Sequence, residues 1–182
     1  MKDAPIANPS RDTSPSCPEP VFPSGLLSLG EQSVEPGWID YNGHMNVSYY
    51  TLAFDRAFDD FLENWIGIGE SFVSRSRLGP MALQTQICYL GELLEGERFH
   101  VDVHLLDHDE KRIHFFGTMI SARTGQPAAT YESLGINVDL ETRRPAPYPD
   151  WTLARLASMR KAQASLPRPK QAGQPLGIRR RG

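Results

Sequence analysis

An α+β fold with one long helix packed on an antiparallel sheet is predicted by three features of the sequence. From Val47 to Trp65 the large apolar residues recur every three or four positions, the period of an amphipathic helix. From Met81 to Asp139 the apolar period shortens to two, as on a half-buried strand. Short stretches of turn residues break this second region, which suits antiparallel connections. A helix stripe and a sheet face that are both apolar bury each other.

The elements follow in order. Leu27, Leu29 and the run Glu31 to Glu35 read as a weak first strand, ended by Pro36-Gly37. The helix carries Val47, Tyr50, Phe54, Ala57, Phe58, Phe61, Leu62 and Trp65 on its apolar side, with Asp55, Arg56, Asp59, Asp60 and Glu63 between them. That makes about five turns. Asn46 stands where its side chain can accept from first-turn N–H groups, and Gly67-Ile68-Gly69 stops the helix. Strands are predicted over Met81 to Tyr89, Phe99 to His104, Arg112 to Ser121 and Ala128 to Asp139. Glu95-Gly96-Glu97, Asp107 to Lys111 and Thr124 to Pro127 are predicted as hairpin turns between successive strands. A last short helix is expected from Trp151 to Gln163, capped by Asp150.

Composition limits what surrounds this unit. The chain has 182 residues, 40% hydrophobic and 23% charged, which fits one domain with tails and excludes collagen-like, wholly disordered and coiled-coil classes. Residues 1–25 hold prolines at 5, 9, 15, 18, 20 and 23 and are expected to be a leader without packed structure. Residues 26–150 form the folded domain, and 151–182 a short helix followed by a basic, disordered tail. Residues 1–154 carry 11 basic against 22 acidic groups, a charge of −11, whereas the rest carry eight basic groups and no acid. That tail has no aromatic residue after Trp151 to stack on a base, so nucleic-acid binding is not expected. Two cysteines, Cys17 and Cys88, fit neither a disulfide framework nor a zinc site. No stretch approaches the roughly 18 apolar residues of a membrane span, and the expectation is a cytoplasmic protein.

The chemistry concentrates in the loop Trp38-Ile39-Asp40-Tyr41-Asn42-Gly43-His44-Met45-Asn46, which places an acid, an imidazole and two amides at a helix entrance. Free N–H groups of a first helical turn can polarise a carbonyl oxygen, and a carboxylate just upstream can attack that carbon or activate water. The same residues also suit turn closure and capping alone.

The motif D-x-N-G-H-M-N over 40–46, followed by an aromatic-rich helix and alternating strands, resembles the hot-dog-fold acyl-CoA thioesterases of the 4-hydroxybenzoyl-CoA thioesterase group. Tyr89-Leu90-Gly91-Glu92-Leu93, Leu106 to His114, Ala128 to Glu132 and Val138-Asp139 resemble the branch that hydrolyses betainyl-CoA in carnitine catabolism. The resemblance spans about residues 27–150. It implies a hot-dog fold and an acyl-CoA substrate, with no cofactor beyond the coenzyme A of that substrate and no metal. It also implies a homodimer or homotetramer whose cleft lies between one subunit's helix start and its partner. Asp40 becomes the catalytic carboxylate, Gly43 the close-approach position, and Asn46 and Val47 the source of the polarising amide. His44 is a supporting catalytic candidate, and Asn42, Gln84, Gln86 and Glu132 are substrate-binding candidates. Relatives often carry glutamate and histidine where this chain has Gln84 and Gln86, and histidine at Asn137. Amides cannot take a proton at neutral pH, which leaves Asp40 with His44 or Glu132 for the proton work, or a degenerate acyl-CoA-binding protein as one alternative; the spacing of Asp40 and His44 resembles that of hot-dog enoyl-CoA hydratases, the other alternative. Trp38, Tyr41, Tyr49 and Trp65 are the rings available to cage a quaternary ammonium, although aromatics on an amphipathic helix are more often core.

Overall fold

The computed structural model describes residues 11–178. The expectations for residues 1–10 and for Arg179, Arg180 and Arg181 lie outside these residues. Among the described residues, seven strands and three α-helices run β1 Leu27–Ser28, β2 Gln32–Ser33, α1 Val47–Phe61, α2 Glu70–Ser76, β3 Leu78–Tyr89, β4 Arg98–His108, β5 Arg112–Ser121, β6 Pro127–Asp139, β7 Arg144–Pro145 and α3 Asp150–Ala162. A π-turn over Leu62–Ile66 prolongs α1 to Gly67, whose left-handed φ of 85° ends it.

One antiparallel sheet has the order β1-β4-β5-β6-β3, with β2 also on β4 and β7 also on β6. The helix and the alternating strands thus stand where the apolar periods put them. Their connectivity differs from a meander, because β3 pairs with β6 and not with β4. Glu95-Gly96-Glu97 is therefore a tight turn within a crossing to the opposite side of the sheet, not a β3–β4 hairpin. A turn signal records local chain reversal; which strand then becomes the neighbour depends on the long-range pairing of β3 with β6 over eleven residue pairs.

The long helix lies along one sheet face. Phe54 and Phe58 meet the Tyr131 ring at centroid distances of 5.1 and 5.3 Å, and Phe58 meets Phe115 at 4.6 Å. Gly117 permits this closeness, since a Cβ there would stand 2.7 Å from the Phe58 ring. Side chains alternate along a strand, so Tyr131, Phe115 and Gly117 face α1 while Glu132, Phe116 and Leu134 face the opposite, outer side.

Both tails depart from expectation. From Arg11 onward the leader is packed: Arg11 forks to Asp139 and Glu141 at 2.7 Å each, Ser16 N–H donates to the Gly67 carbonyl at 3.1 Å, and the Trp151 indole donates to the Thr13 carbonyl at 2.6 Å. Buried Arg155 donates to the carbonyls of Cys17 and Ile66 at 2.9 and 3.0 Å. Composition measures the apolar area that a segment can bury; this segment is held by polar groups projecting from the body. The C-terminal tail also packs, with Ala172 buried beside Leu106 and Phe116 on the outer sheet face. The last helix begins at Asp150 with Pro149 as its cap residue, so Asp150 lies in the first turn and does not cap it. The short α2 was not anticipated, because its seven residues bury only Phe72 and Ser76 and leave too little period to detect.

Among the described residues, no helix is long and apolar enough to cross a membrane.

Candidate active site

Residues 38–47 form a clasp at the start of α1. Ile39 and Met45 pair across it. The Asp40 N–H donates to the His44 carbonyl, and the Gly43 N–H returns to the Asp40 carbonyl, both at 3.0 Å. Such a reversal needs a left-handed residue at its end, and Gly43 has φ +82°, a conformation that an L side chain resists. The Asn46 N–H closes the clasp on the Trp38 carbonyl at 2.8 Å, and the Met45 N–H sews it to the body through the Leu93 carbonyl at 2.9 Å.

The Asp40 carboxylate is thereby fixed upstream of the helix. Its Oδ1 accepts the Asn42 N–H at 2.8 Å, and its Oδ2 lies 3.5 Å from Asn46 Nδ2, a reach longer than an ordinary hydrogen bond. Asn46 Oδ1 accepts the Ser48 N–H at 3.0 Å, and the Asn46 carbonyl accepts the Tyr49 N–H at 3.0 Å. These caps leave over the Val47 N–H, at the positive end of the helix. The His44 ring lies with Nδ1 3.1 Å from the Met45 carbonyl, which makes that nitrogen the donor. Its ring makes no hydrogen bond to Asp40.

A second layer backs the clasp. The Tyr50 hydroxyl accepts the Leu93 N–H at 3.2 Å and donates to the Gly91 carbonyl at 3.3 Å. Buried Glu97 accepts from Ser121 Oγ at 2.5 Å, Arg123 Nε at 3.0 Å and the Leu94 N–H at 3.1 Å. Burial alone would push the Glu97 carboxyl up, but those three donors outweigh it and hold the group below its usual range. Sequence reasoning missed Tyr50 and Glu97 as supports, since one reads as helix core and the other as a turn residue.

The structure does not bring the remaining candidates to this place within one chain. Gln86 lies opposite Glu132 and Gln84 opposite Leu134, on the outer sheet face. There Glu132 Oε1 meets His114 Nε2 at 2.7 Å, and its Oε2 accepts the Gly173 N–H at 2.7 Å. With residues 173–176 of the tail these side chains line a cavity of about 470 Å³. An alternating strand fixes which residues share a face, whereas a bulge between Ala82 and Gln84 shifts the phase by one, and sequence does not reveal it. Asn137 is fully buried and donates to the carbonyls of Ala146 and Pro147 at 3.2 and 3.0 Å, a structural tie.

The aromatic cage is likewise not assembled in one chain. Trp38 is buried, stacked on Tyr49 at 5.3 Å and covered by the Arg56 guanidinium at 5.3 Å. The Trp65 ring packs on Phe22. Tyr41, 96% exposed, is the member left facing solvent beside Asp40. Among the described residues no group of three or more His, Cys, Asp or Glu side chains could hold a metal ion.

An α-helix laid on an antiparallel sheet, with its loop clasp at the helix start, is the hot-dog arrangement. The family model for the Thioesterase-like superfamily matches residues 34–156, and the chain belongs to that family. It is 33% identical over 155 residues to the betainyl-CoA thioesterase of Pseudomonas aeruginosa, covering 85% of this chain and 97% of that protein. It is 34% identical over 157 residues to the L-carnitine dehydrogenase/betainyl-CoA thioesterase of Rhizobium meliloti, covering 86% of this chain but 31% of that longer protein. Among solved structures it is similar to a Staphylococcus aureus protein in complex with CoA, at 26% identity and TM-score 0.80 over 88% of this chain and all of the other. A candidate thioesterase from Pseudomonas putida KT2440 matches at 28% identity and TM-score 0.72, over 85% of this chain and 98% of the other. The chain is an acyl-CoA thioesterase.

Proposed function

We propose that the acyl group is betaine, that Asp40 supplies the carboxylate, and that a second copy of the chain completes the cleft. The observation carrying the catalytic part is the clasp, in which one carboxylate stands just ahead of the helix N–H that the caps leave over, on Val47. A thioester carbonyl seated there accepts the Val47 N–H, and the helix end stabilises the negative charge that develops on its oxygen. Asp40 either takes a proton from the attacking water or attacks the carbon itself, with water then releasing the acid. In both routes the C–S bond breaks, water supplies the hydroxyl of the acid, and the CoA sulfur leaves as a thiol. His44, tied to the Met45 carbonyl, steadies the clasp.

The names of the betainyl-CoA relatives support the acyl choice. Tyr41 beside Asp40, and Tyr89 with its ring edge-on to Tyr50 at 5.3 Å, are the exposed rings near the helix start that can meet a trimethylammonium group. Within one chain the amides Gln84 and Gln86 lie on the sheet face away from α1. The dimer is supported by β3, a twelve-residue strand at the sheet edge with Met81, Leu83 and Tyr89 exposed. Such an edge calls for pairing. Val47, Leu90 and Leu94, also exposed, provide an apolar rim that a partner can cover.

Betainyl-, acetyl- and crotonyl-CoA offered to the purified protein with a thiol reagent test the reading. Thiol release fastest with betainyl-CoA is expected, and loss of enoyl absorbance without thiol would make the protein a hydratase instead. Asp40→Asn keeps size and most hydrogen bonds, and kcat is expected to fall by at least about 100-fold with little change in melting. Thiol release by Asp40→Asn within a few-fold of wild type would end the assignment.

A further inference from the structure

The turn that leaves β3 wraps the Tyr50 hydroxyl. The Gly91 carbonyl accepts from that hydroxyl at 3.3 Å and the Leu93 N–H donates to it at 3.2 Å, so Glu92, the residue between them, is held at the phenol by both neighbours. Three further bonds fix the same turn. The Leu90 and Gly91 N–H groups reach the Ala128 carbonyl at 2.8 and 3.0 Å, and the Leu93 carbonyl takes the Met45 N–H of the clasp at 2.9 Å. Tyr50 follows Val47 by three residues on α1, about 4.5 Å along the helix axis. Glu92 therefore belongs to the rim around the helix start, between exposed Leu90 and Leu94, with the half-exposed Tyr89 ring edge-on to Tyr50 at 5.3 Å. Glu97, further along the same loop, is buried and committed to Ser121, Arg123 and the Leu94 N–H. Glu92 is exposed, and among the described residues its carboxylate has no hydrogen bond or ion pair. Its charge nevertheless reaches the site: burial first, and then Glu92 against the pull of the Leu93 N–H, push the Tyr50 phenol above its usual pKa.

We infer that Glu92 determines acyl specificity, supplying the negative charge that meets the trimethylammonium group of a betainyl thioester beside the Tyr89 ring. The inference rests on the betaine reading above. A trimethylammonium group has no N–H to donate, so it is recognised by aromatic faces and by an unpaired opposite charge. Its nitrogen stands one methylene from the thioester carbonyl carbon. A carbonyl seated on the Val47 N–H therefore keeps the cation within about one helical turn of that amide, the span that separates Val47 from Tyr50. A free carboxylate on this rim adds to the repulsion that the phosphates of coenzyme A meet, and it helps no neutral acyl group. It favours binding where the acyl group is itself a cation. The positive charge is the same before and during attack on the carbonyl, so the contribution of Glu92 is uniform binding and falls on KM more than on kcat.

The test compares betainyl-CoA with tert-butylacetyl-CoA, in which carbon replaces the nitrogen and the shape is kept without the charge. The ratio of kcat/KM for the two substrates is measured in the wild-type protein, in Glu92→Gln and in Glu92→Lys. The side chain is exposed and unbonded, so both variants are expected to fold. The wild-type ratio is expected to favour betainyl-CoA. It is expected to fall at least about 10-fold in Glu92→Gln, on the order of what one opposite charge contributes at a partly exposed site, and further in Glu92→Lys, with the change in the KM for betainyl-CoA. A wild-type ratio retained in both variants overturns the role of Glu92 and leaves the betaine reading standing. Equal losses on the two substrates overturn it as well, since Glu92 would then serve the turn and not the cation. A wild-type protein with no preference for betainyl-CoA over the neutral isostere overturns the betaine reading itself, and Glu92 with it.

Discussion

Single residues in this protein often act through what burial does to their polar atoms. His104, on β4, is 4% exposed on the outer face near Arg160 and Arg168. Burial first, and then those two positive charges, push its pKa below the usual 6.5. The unfolded chain therefore binds a proton that the folded chain refuses, and stability falls as pH drops below about 6.5. Asp109 and Asp139, both held below the usual 3.8 by arginines and backbone N–H groups, lose their contribution only in stronger acid. Part of the decline between pH 6.5 and about 5 therefore belongs to this histidine. His104→Gln is expected to flatten the decline of the urea midpoint across that window; an unchanged slope would assign the decline to other groups. Asp40 illustrates a different use of polarity, since its oxygens serve the turn on one side and stand ahead of the free Val47 amide on the other.

At the scale of elements, the strap of residues 11–22 decides how α2, the π-turn and α3 sit together. Arg155 on α3 reaches the carbonyls of Cys17 and Ile66, Ser16 Oγ donates to the Glu63 carbonyl at 3.0 Å, and Arg75 on α2 donates to the Ser14 carbonyl at 2.8 Å. Removing residues 1–24 leaves a buried guanidinium without one of its carbonyl partners. A loss of about 2 kcal/mol follows from the hydrogen bonds alone, or about 4–8 °C in melting for a chain of this size. Turnover at 25 °C is expected to persist, because the strap touches none of residues 38–47. Differential scanning calorimetry of the truncated protein, with a thiol-release assay beside it, checks both parts. Unchanged melting would mean that the strap is dispensable despite its contacts.

For the whole molecule the open question is assembly, and it has a kinetic signature. If the cleft needs a partner's edge, specific activity depends on protein concentration, falling on dilution through the dimer dissociation constant while Asp40 and its clasp remain folded. Activity per subunit measured over a 1000-fold dilution, on the order of three decades of Kd, is expected to decline in step with the dimer fraction from light scattering. Constant activity in a monomeric sample would place the entire cleft within one chain. The apolar rim of Val47, Leu90 and Leu94 would then need another explanation.

Periodicity determined much of this protein before any tertiary contact is considered: the helix from Val47, the strands Arg112–Ser121 and Pro127–Asp139 to within a residue, and the clasp whose Asx-rich spacing stands at the helix entrance. These are local properties, written in 3.6- and 2-residue periods and in the backbone freedom of Gly43. Tertiary structure alone decided that β3 crosses to the far edge, that Gln84, Gln86 and Glu132 share the outer face with His114, and that residues 11–17 and 172–174 lie down on the body. Strand partner choice and tail docking depend on groups far apart in the chain, such as Gly173 with Glu132 or Arg155 with Cys17. No local period carries that information, because the free energy of such contacts resides in pairs and not in segments.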